Sequence, residues 1–393
     1  MISGLSQLAD NMALNLREFI KSEAFSGVLL ICSLFLAVVI SNTALYEYYL
    51  KFIKLPVCLR IGGFGTTTTF LNLINDGLMT LFFLLIGLEM KYHLVVGEYK
   101  ERKKLILPTF AAIGGLVIPA LIYMYFNHNQ ITEKGWAIPV ATDTAFVLGI
   151  LSFFARKISL ELRLFIIGFS LIDDALAIII LALFYTSAIN TAALLIAALV
   201  TIALFALNYF KVKEVKYYAI LGVLLWIFIV EAGVHGTLAG VILAVFIPVA
   251  IEESNASPLK ELEANLHPFV NYCILPIFAF INSEIPLKYL TTDVLFSNLG
   301  LGIILGLFFG KQVGIFVFSY LVVKLKWCML PNNTSWSKYY AVCVLGGIGF
   351  TLSLFIGGLT FEKQEFINIM RSSVIIASMV SALFGILILK FIK

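Results

Sequence analysis

Two aspartates stand side by side in the apolar run LIDDALAIIILALFY, at Asp173 and Asp174. Three more ionisable residues, Asp143, His235 and Lys311, fall well inside other apolar runs, and Asp76, Glu89, Glu263 and His267 lie nearer run ends. An Asp or Lys at the centre of a bilayer costs roughly 2.5–3.5 kcal/mol on insertion scales, so three aspartates and a lysine call for on the order of 10 kcal/mol of compensation before pairing. Such residues face a wet cavity or each other. Neighbours on an α-helix point about 100° apart, so Asp173 and Asp174 cannot both face one narrow cavity. The reading that follows makes Asp174 the ion-facing carboxylate and Asp173 the partner of Lys311, the only cation at that depth. A purely structural ion cluster is the competing reading.

Asp143 lies in IPVATDTAFVLG (138–149), four residues after Pro139 and flanked by Thr142 and Thr144. Proline removes a backbone donor and clashes one turn back, which predicts a helix break before the aspartate. The stretch CVLGGIGFTLSLFIGG (343–358) is weakened in the same way by Gly346, Gly347 and Gly349. Its glycines are equally compatible with close helix packing. Carboxylates, hydroxyls and freed carbonyls are hard oxygen ligands, suited to small hard cations rather than soft metals. Buried carboxylates in general hold protons more tightly than exposed ones, so protons and cations can compete for them. Competition for one site under alternating access is the minimum machinery of an antiporter.

These residues need a membrane to hold them. The chain has 393 residues, 61% hydrophobic and 13% charged, with mean hydropathy +1.01. Apolar runs near twenty residues recur from end to end, and short alternating segments of a β-barrel are not evident. The fold class expected is an all-α polytopic membrane protein, a single membrane transporter domain over 1–393. Twelve spans are read, at roughly 25–42, 71–91, 104–126, 132–155, 160–186, 190–209, 215–231, 234–250, 262–283, 297–323, 339–360 and 366–391. Of the 27 Lys and Arg, about 19 fall in the even-numbered loops and tails and about 7 in the others, which by the positive-inside rule places both termini in the cytoplasm. An odd number of spans would scramble that alternation. Residues 1–24 lack a signal-peptide pattern and carry Leu5, Leu8, Met12, Leu16 and Phe19 at helical spacing, as an amphipathic surface segment does. The loop 44–70 contains PVCLRIGGFGTTTTF, read either as a β-hairpin about Gly-Gly or as an irregular loop. The five cysteines are scattered without ligand spacing, so neither a disulfide framework nor a zinc site is implied. Nothing points to nucleic acid, to an organic substrate, to a cofactor or to enzymatic catalysis.

The whole pattern resembles the NhaA family of bacterial sodium/proton antiporters. The resemblance is carried by LINDGLMTLFFLLIGLEMK (73–91), ATDTAFVLGIL, LIDDALAIIILALFYT, GVHGTLAGVILAVFIP, LHPFVNYCILPIFAFIN, GKQVGIF and GGIGFTLSLFI. It implies electrogenic exchange of cytoplasmic Na⁺ or Li⁺ for more than one external proton in the bacterial inner membrane, serving pH homeostasis and salt tolerance. It makes Asp173 and Asp174 the sodium site, Thr142 and Asp143 the broken-helix crossing, and Lys311 the lysine that pairs with Asp173. It also implies an inverted repeat of helices 3–5 and 10–12, with helices 4 and 11 interrupted. Broken helices at the midplane are a general carrier design of which this family is itself an example, so the repeat rests on the resemblance alone. A homodimer through the outer loop 56–70 is implied as well.

Departures from the family pattern concern regulation. In the pH-sensing funnel Glu89 and Lys91 match, but an expected Arg-Glu pair is Tyr92-His93. Glu263 and His267 match, while a histidine expected beside the first is Ala264. His235 matches a histidine linked to pH response, with a satisfied core histidine as the bland alternative, and Asp76 belongs to the same group. Two rival functions suit these residues less well. An intramembrane aspartyl protease needs a GxGD signature that is missing, and Lys311 would hold both carboxylates charged. A sodium-coupled solute symporter of similar fold, or a passive channel, fits poorly with a lysine beside the pair and with broken helices.

Overall fold

A computed structural model describes residues 23–61, 64–186, 189–249, 257–286 and 290–392, so most of the expected surface segment at 1–24 lies outside it. Among the described residues the chain is mostly helical, and ten helical segments are long and apolar enough to cross a bilayer. The seventh expected span is helical from end to end, and the eighth is shorter than expected. Val215–Glu231 has 17 residues, and the expected span 234–250 is helical only over Thr237–Phe246. Ten residues rise about 15 Å, half of the ~30 Å hydrocarbon thickness. The shortening has local causes: Gly233 turns the chain at φ 79°, and Pro248 follows the helix end.

In the loop 44–70 the backbone forms two antiparallel strands, β1 (Pro56–Ile61) and β2 (Phe64–Thr69). Their register runs from Pro56 opposite Thr69 to Ile61 opposite Phe64. Thr69 ends β2 and caps the next helix, its hydroxyl accepting from the amide of Asn72 at 3.2 Å.

Two neighbourhoods of helices position the site. In one, Ile106–Asn127 packs on Lys311–Lys324 and on Leu160–Phe184, and Gln364–Phe391 packs on Asn298–Leu305, Trp336–Leu345 and Phe350–Thr360. In the other, Phe70–Val95 lies along Thr237–Phe246, and Glu23–Ser41 along Leu275–Asn282, with Glu23–Ser41 also packed on Thr144–Phe153 and so linking the two. Small residues set the distances. Gly114 and Gly314 face each other so closely that a Cβ on either would strike the carbonyl oxygen of the other. Backbones approach this way in membranes because packing, not hydrophobicity, drives helix association there. Gly114→Val should therefore cost at least the ~1–3 kcal/mol typical of overpacking. The expected result is loss of the monodisperse peak when detergent-extracted protein is run on a sizing column, and a normal peak would contradict the packing account.

The two weakened stretches are interrupted. A 3-10 helix, Ile131–Val140, ends before residues 141–143, and an α-helix resumes at Thr144–Phe153. Trp336–Leu345 likewise gives way at residues 346–349 to Phe350–Thr360. A third irregularity was not legible in the sequence. The π turn Gly306–Gly310 immediately precedes Lys311, and it rests against two prolines. A Cβ on Gly310 would lie 2.8 Å from Pro119 Cα, and one on Gly306 2.8 Å from Pro139 Cβ. Such π turns are frequent beside functional residues.

Candidate ion site

The two interruptions cross, and Asp143 holds them together. Its Oδ1 accepts from the amide of Phe146 at 3.1 Å, capping Thr144–Phe153. Its Oδ2 accepts from the amide of Thr351 at 3.0 Å and from the Thr351 hydroxyl at 2.6 Å, at the start of Phe350–Thr360. One carboxylate thus serves two helix N-termini, each equivalent to roughly half a positive charge. The freed backbone is satisfied across the break as well. The amide of Asp143 donates to the carbonyl of Ile348 at 2.6 Å, the Thr142 hydroxyl to that of Gly346 at 3.0 Å, and the Ser353 hydroxyl to that of Ile138 at 2.7 Å. Asp143→Ala should lose two caps together, about 1–4 kcal/mol at 0.5–2 per cap. A clear fall in the melting temperature of purified protein is expected, and an unchanged one would remove the double cap from the account.

The DD helix, Leu160–Phe184, brings two carboxylates to this crossing from one side, and they diverge as the helical turn requires. Lys311 Nζ lies 3.0 Å from both oxygens of Asp173. The amide of Thr142, freed by the break, donates to Asp173 Oδ2 at 3.0 Å. Lysine and both aspartates are almost fully buried, at 0%, 3% and 4% exposure. Asp174 points elsewhere. Its Oδ2 accepts from the Ser170 hydroxyl at 3.3 Å, Ser170 also touches the Thr144 hydroxyl, and its Oδ1 has no hydrogen-bond partner among the described residues. A buried carboxylate oxygen left unsatisfied is costly and marks a place where a cation or proton can bind. Asp173 has no such opening: for it to ligate sodium, Lys311 must let go.

Asp174 opens on a cavity of about 230 Å³ that also reaches Asp143, Thr144, Thr351, Glu89, His93, Glu263 and His267. The structure therefore brings Glu89, Glu263 and His267 into one space with the carboxylates. It does not bring Lys91 there. That ammonium donates to the carbonyls of Val245 and Ile247 at 2.6 and 2.5 Å, at the C-terminus of Thr237–Phe246, where a cation complements the helix dipole. His235 and Asp76 form a separate pair, with Nε2 and Oδ1 3.6 Å apart. The His235 ring also packs edge-on against Phe355 at 5.2 Å between centroids.

The departures have partners of their own. Tyr92 receives Lys260, whose ammonium sits 3.8 Å from the ring centroid, as a cation does over an aromatic face. His93 turns into the cavity. Beyond it Tyr99 is buried outside the membrane spans, and burial pushes its phenol up to about 12. Its hydroxyl therefore stays protonated and donates to the carbonyl of Leu164 at 2.5 Å, tying the loop beyond the funnel to the DD helix. Asn271 lines the cavity as well, its side chain 3.1 Å from His267 Nε2, and sequence reasoning missed it together with Ser170 and Thr351. Ser170 had one available signal, its place a helical turn before Asp174 on the same face.

A polytopic helical carrier with a carboxylate site for small hard cations is the class that this fold and site define. A family profile described as Na⁺/H⁺ antiporter 1 matches residues 17–389. The chain is 59% identical over 382 residues to the Na⁺/H⁺ antiporter NhaA of Rickettsia massiliae, covering 96% of this chain and 94% of that one. It is 42% identical to the NhaA of Proteus mirabilis over 95% of this chain and 96% of that one, and 41% identical to the NhaA of Campylobacter curvus over 95% and 94%. The chain belongs to the Na⁺/H⁺ antiporter 1 family.

Proposed function

We propose that this protein exchanges cytoplasmic Na⁺ or Li⁺ for external protons by alternating access, with Asp174 as the group for which they compete. The observation that carries the reading is the free, buried Oδ1 of Asp174 at the end of a cavity rich in titratable groups. A proton or a sodium ion neutralises this carboxylate, and one excludes the other. Sodium drawn to both carboxylates displaces Lys311 from Asp173. With Asp174 giving up one proton and the displaced Lys311 ammonium a second, two protons move against each sodium ion, which makes the exchange electrogenic. Asp143 and Thr142 hold the crossing in shape and keep the helix ends neutralised while the ion passes.

In this proposal Glu89, Glu263 and His267 set the pH response from the cavity, joined by His93 in place of an expected acid. Lys91 acts from outside the cavity by anchoring Thr237–Phe246, and the Asp76–His235 pair contributes from its own position. The chain works as one membrane domain in the bacterial inner membrane with both termini cytoplasmic, built on an inverted repeat of helices 3–5 and 10–12. It dimerises through the hairpin at 56–70. Its physiological role is sodium extrusion for pH homeostasis and salt tolerance. The relatives' names describe transporters and not enzymes, and no proteolytic reading is retained: Asp173 is engaged by a lysine where a protease needs a shared proton.

The test is made in everted vesicles with a preformed ΔpH. Na⁺ or Li⁺ should collapse the gradient and K⁺ should leave it standing. Equal responses to K⁺ would overturn the selectivity, and no response to any of the three would overturn the exchange.

A further inference from the structure

One buried charged pair has no part in the site. Arg371, early in Gln364–Phe391, places Nη1 2.5 Å from Oε1 of Glu284, two residues beyond Leu275–Asn282. The two residues are 6% and 4% exposed. They lie at the end of the molecule opposite the cavity. Along Pro258–Asn282, Glu263, His267 and Asn271 line the cavity, and Asn282 is about 16 Å beyond the last of them at 1.5 Å per residue. Phe70–Val95 runs the other way: Glu89 lines the cavity, while Asn75 exchanges hydrogen bonds with Asn282 at 2.8 and 3.2 Å.

The segment carrying Glu284 is strapped to one neighbourhood of helices. The Tyr49 hydroxyl donates to the carbonyl of Ile281 at 2.9 Å. The Ser41 hydroxyl and the Asn42 amide reach the carbonyl of Ile285 at 3.2 and 2.9 Å. Arg371 belongs to the other neighbourhood, on the helix that packs against both halves of the interrupted Trp336–Thr360. The ion pair therefore joins Gln364–Phe391, which packs on the broken crossing, to the segment that continues Pro258–Asn282, at the end opposite the cavity.

Its chemistry is that of a contact made to open. Glu284 Oε2 and the hydroxyls of Ser283, Ser372 and Ser373 are buried without hydrogen-bond partners among the described residues. A buried ion pair with unsatisfied groups beside it is a poor way to stabilise a fold, since desolvation offsets its attraction. The same attraction is strong in a dry contact and weak once water enters, and water would satisfy every one of the unpaired oxygens. We propose that Glu284–Arg371 is the latch that closes the carrier opposite the cavity and parts once in every transport cycle. This rests on the alternating-access reading above.

The experiment holds the pair shut. In a full-length chain with its five natural cysteines replaced, Glu284→Cys and Arg371→Cys are joined by a short, reducible bis-methanethiosulfonate. Exchange in vesicles should fall at least tenfold on tethering and return on reduction. Unchanged exchange in the fully tethered protein would overturn the latch, because a contact that never opens is indifferent to a tether. A second measurement uses Ser283→Cys as a reporter for an impermeant maleimide applied from the side opposite the cavity. Adding Glu284→Gln should speed labelling at least tenfold, and an unchanged rate would also overturn the proposal. The cysteine-replaced parent is assayed alongside for Na⁺-driven exchange. Its failure would count against the antiport reading, whereas a transporting parent with indifferent variants counts against the latch alone.

Discussion

Asp174→Asn should abolish sodium/proton exchange, by a factor of a hundred or more, while leaving the amount and melting temperature of the protein close to normal. The carboxamide keeps the shape of the side chain and can still accept the Ser170 hydrogen bond to the wild-type Oδ2. What it loses is the charge. The unpartnered Oδ1 is no longer an anion that either a proton or sodium can neutralise, so neither drives the cycle. Charge-assisted contacts are roughly twice as strong as neutral ones, and a neutral amide oxygen does not replace a carboxylate for a hard cation. Because Asp174 supports no helix cap and no ion pair among the described residues, the fold has little to lose. Near-normal exchange would return the residue to a structural role, and a collapse in yield would show that the packing around the DD helix had been misjudged.

Lys311→Ala should act in the opposite way, on stability first. Removing the ammonium leaves Asp173 with the amide of Thr142 as its remaining partner, in a site where the carboxylate is 3% exposed. Breaking a buried pair by deleting one member typically costs about 3–5 kcal/mol, which for a chain of 393 residues corresponds to a fall in melting temperature of about 4–6 °C. Neutralising both members, as in Asp173→Asn with Lys311→Gln, should recover much of that loss, because no lone charge is left buried. The expected pattern is a sharp drop for the single variant and a partial return for the double. An unchanged melting temperature in Lys311→Ala would remove the pair from the account, whatever happened to transport.

The contrast between these two variants follows from features that differ in how visible they are in the chain. The division of labour between Asp173 and Asp174 is readable there because a charge in hydrocarbon is expensive and consecutive helical residues diverge by a fixed angle. The break before Asp143 is readable for a similar reason: Pro139 disrupts a helix wherever it is placed in an interior. At Gly346 to Gly349 the sequence leaves packing and interruption equally open, and the structure has both, since a Cβ on Gly346 would meet Ile315 Cδ1 at 2.6 Å.

What escaped the sequence was set by distant partners. Thr351 closes on Asp143 across 208 residues, and no local pattern announces a hydroxyl at the start of the second half-helix. The π turn before Lys311 depends on prolines in two other helices. Lys91 carries the family's residue type, yet here it ends a helix 154 residues away. Arg371 and Glu284 carry no local signal either, since 87 residues separate the two members of the pair. The eighth helix is shorter than its expected span, since apolar composition continues past the point where Gly233 and Pro248 bound the helical backbone.

Competition between sodium and protons at Asp174 is the centre of this account, and binding measured on purified protein tests it without the complications of transport. Sodium affinity is determined calorimetrically across a range of pH, in buffers of different ionisation enthalpy so that proton release is counted. Affinity should fall as pH is lowered, approaching tenfold per pH unit for each proton displaced, with at least one proton released per sodium bound and no sodium binding in Asp174→Asn. Sodium binding that is independent of pH and releases no proton would contradict the account.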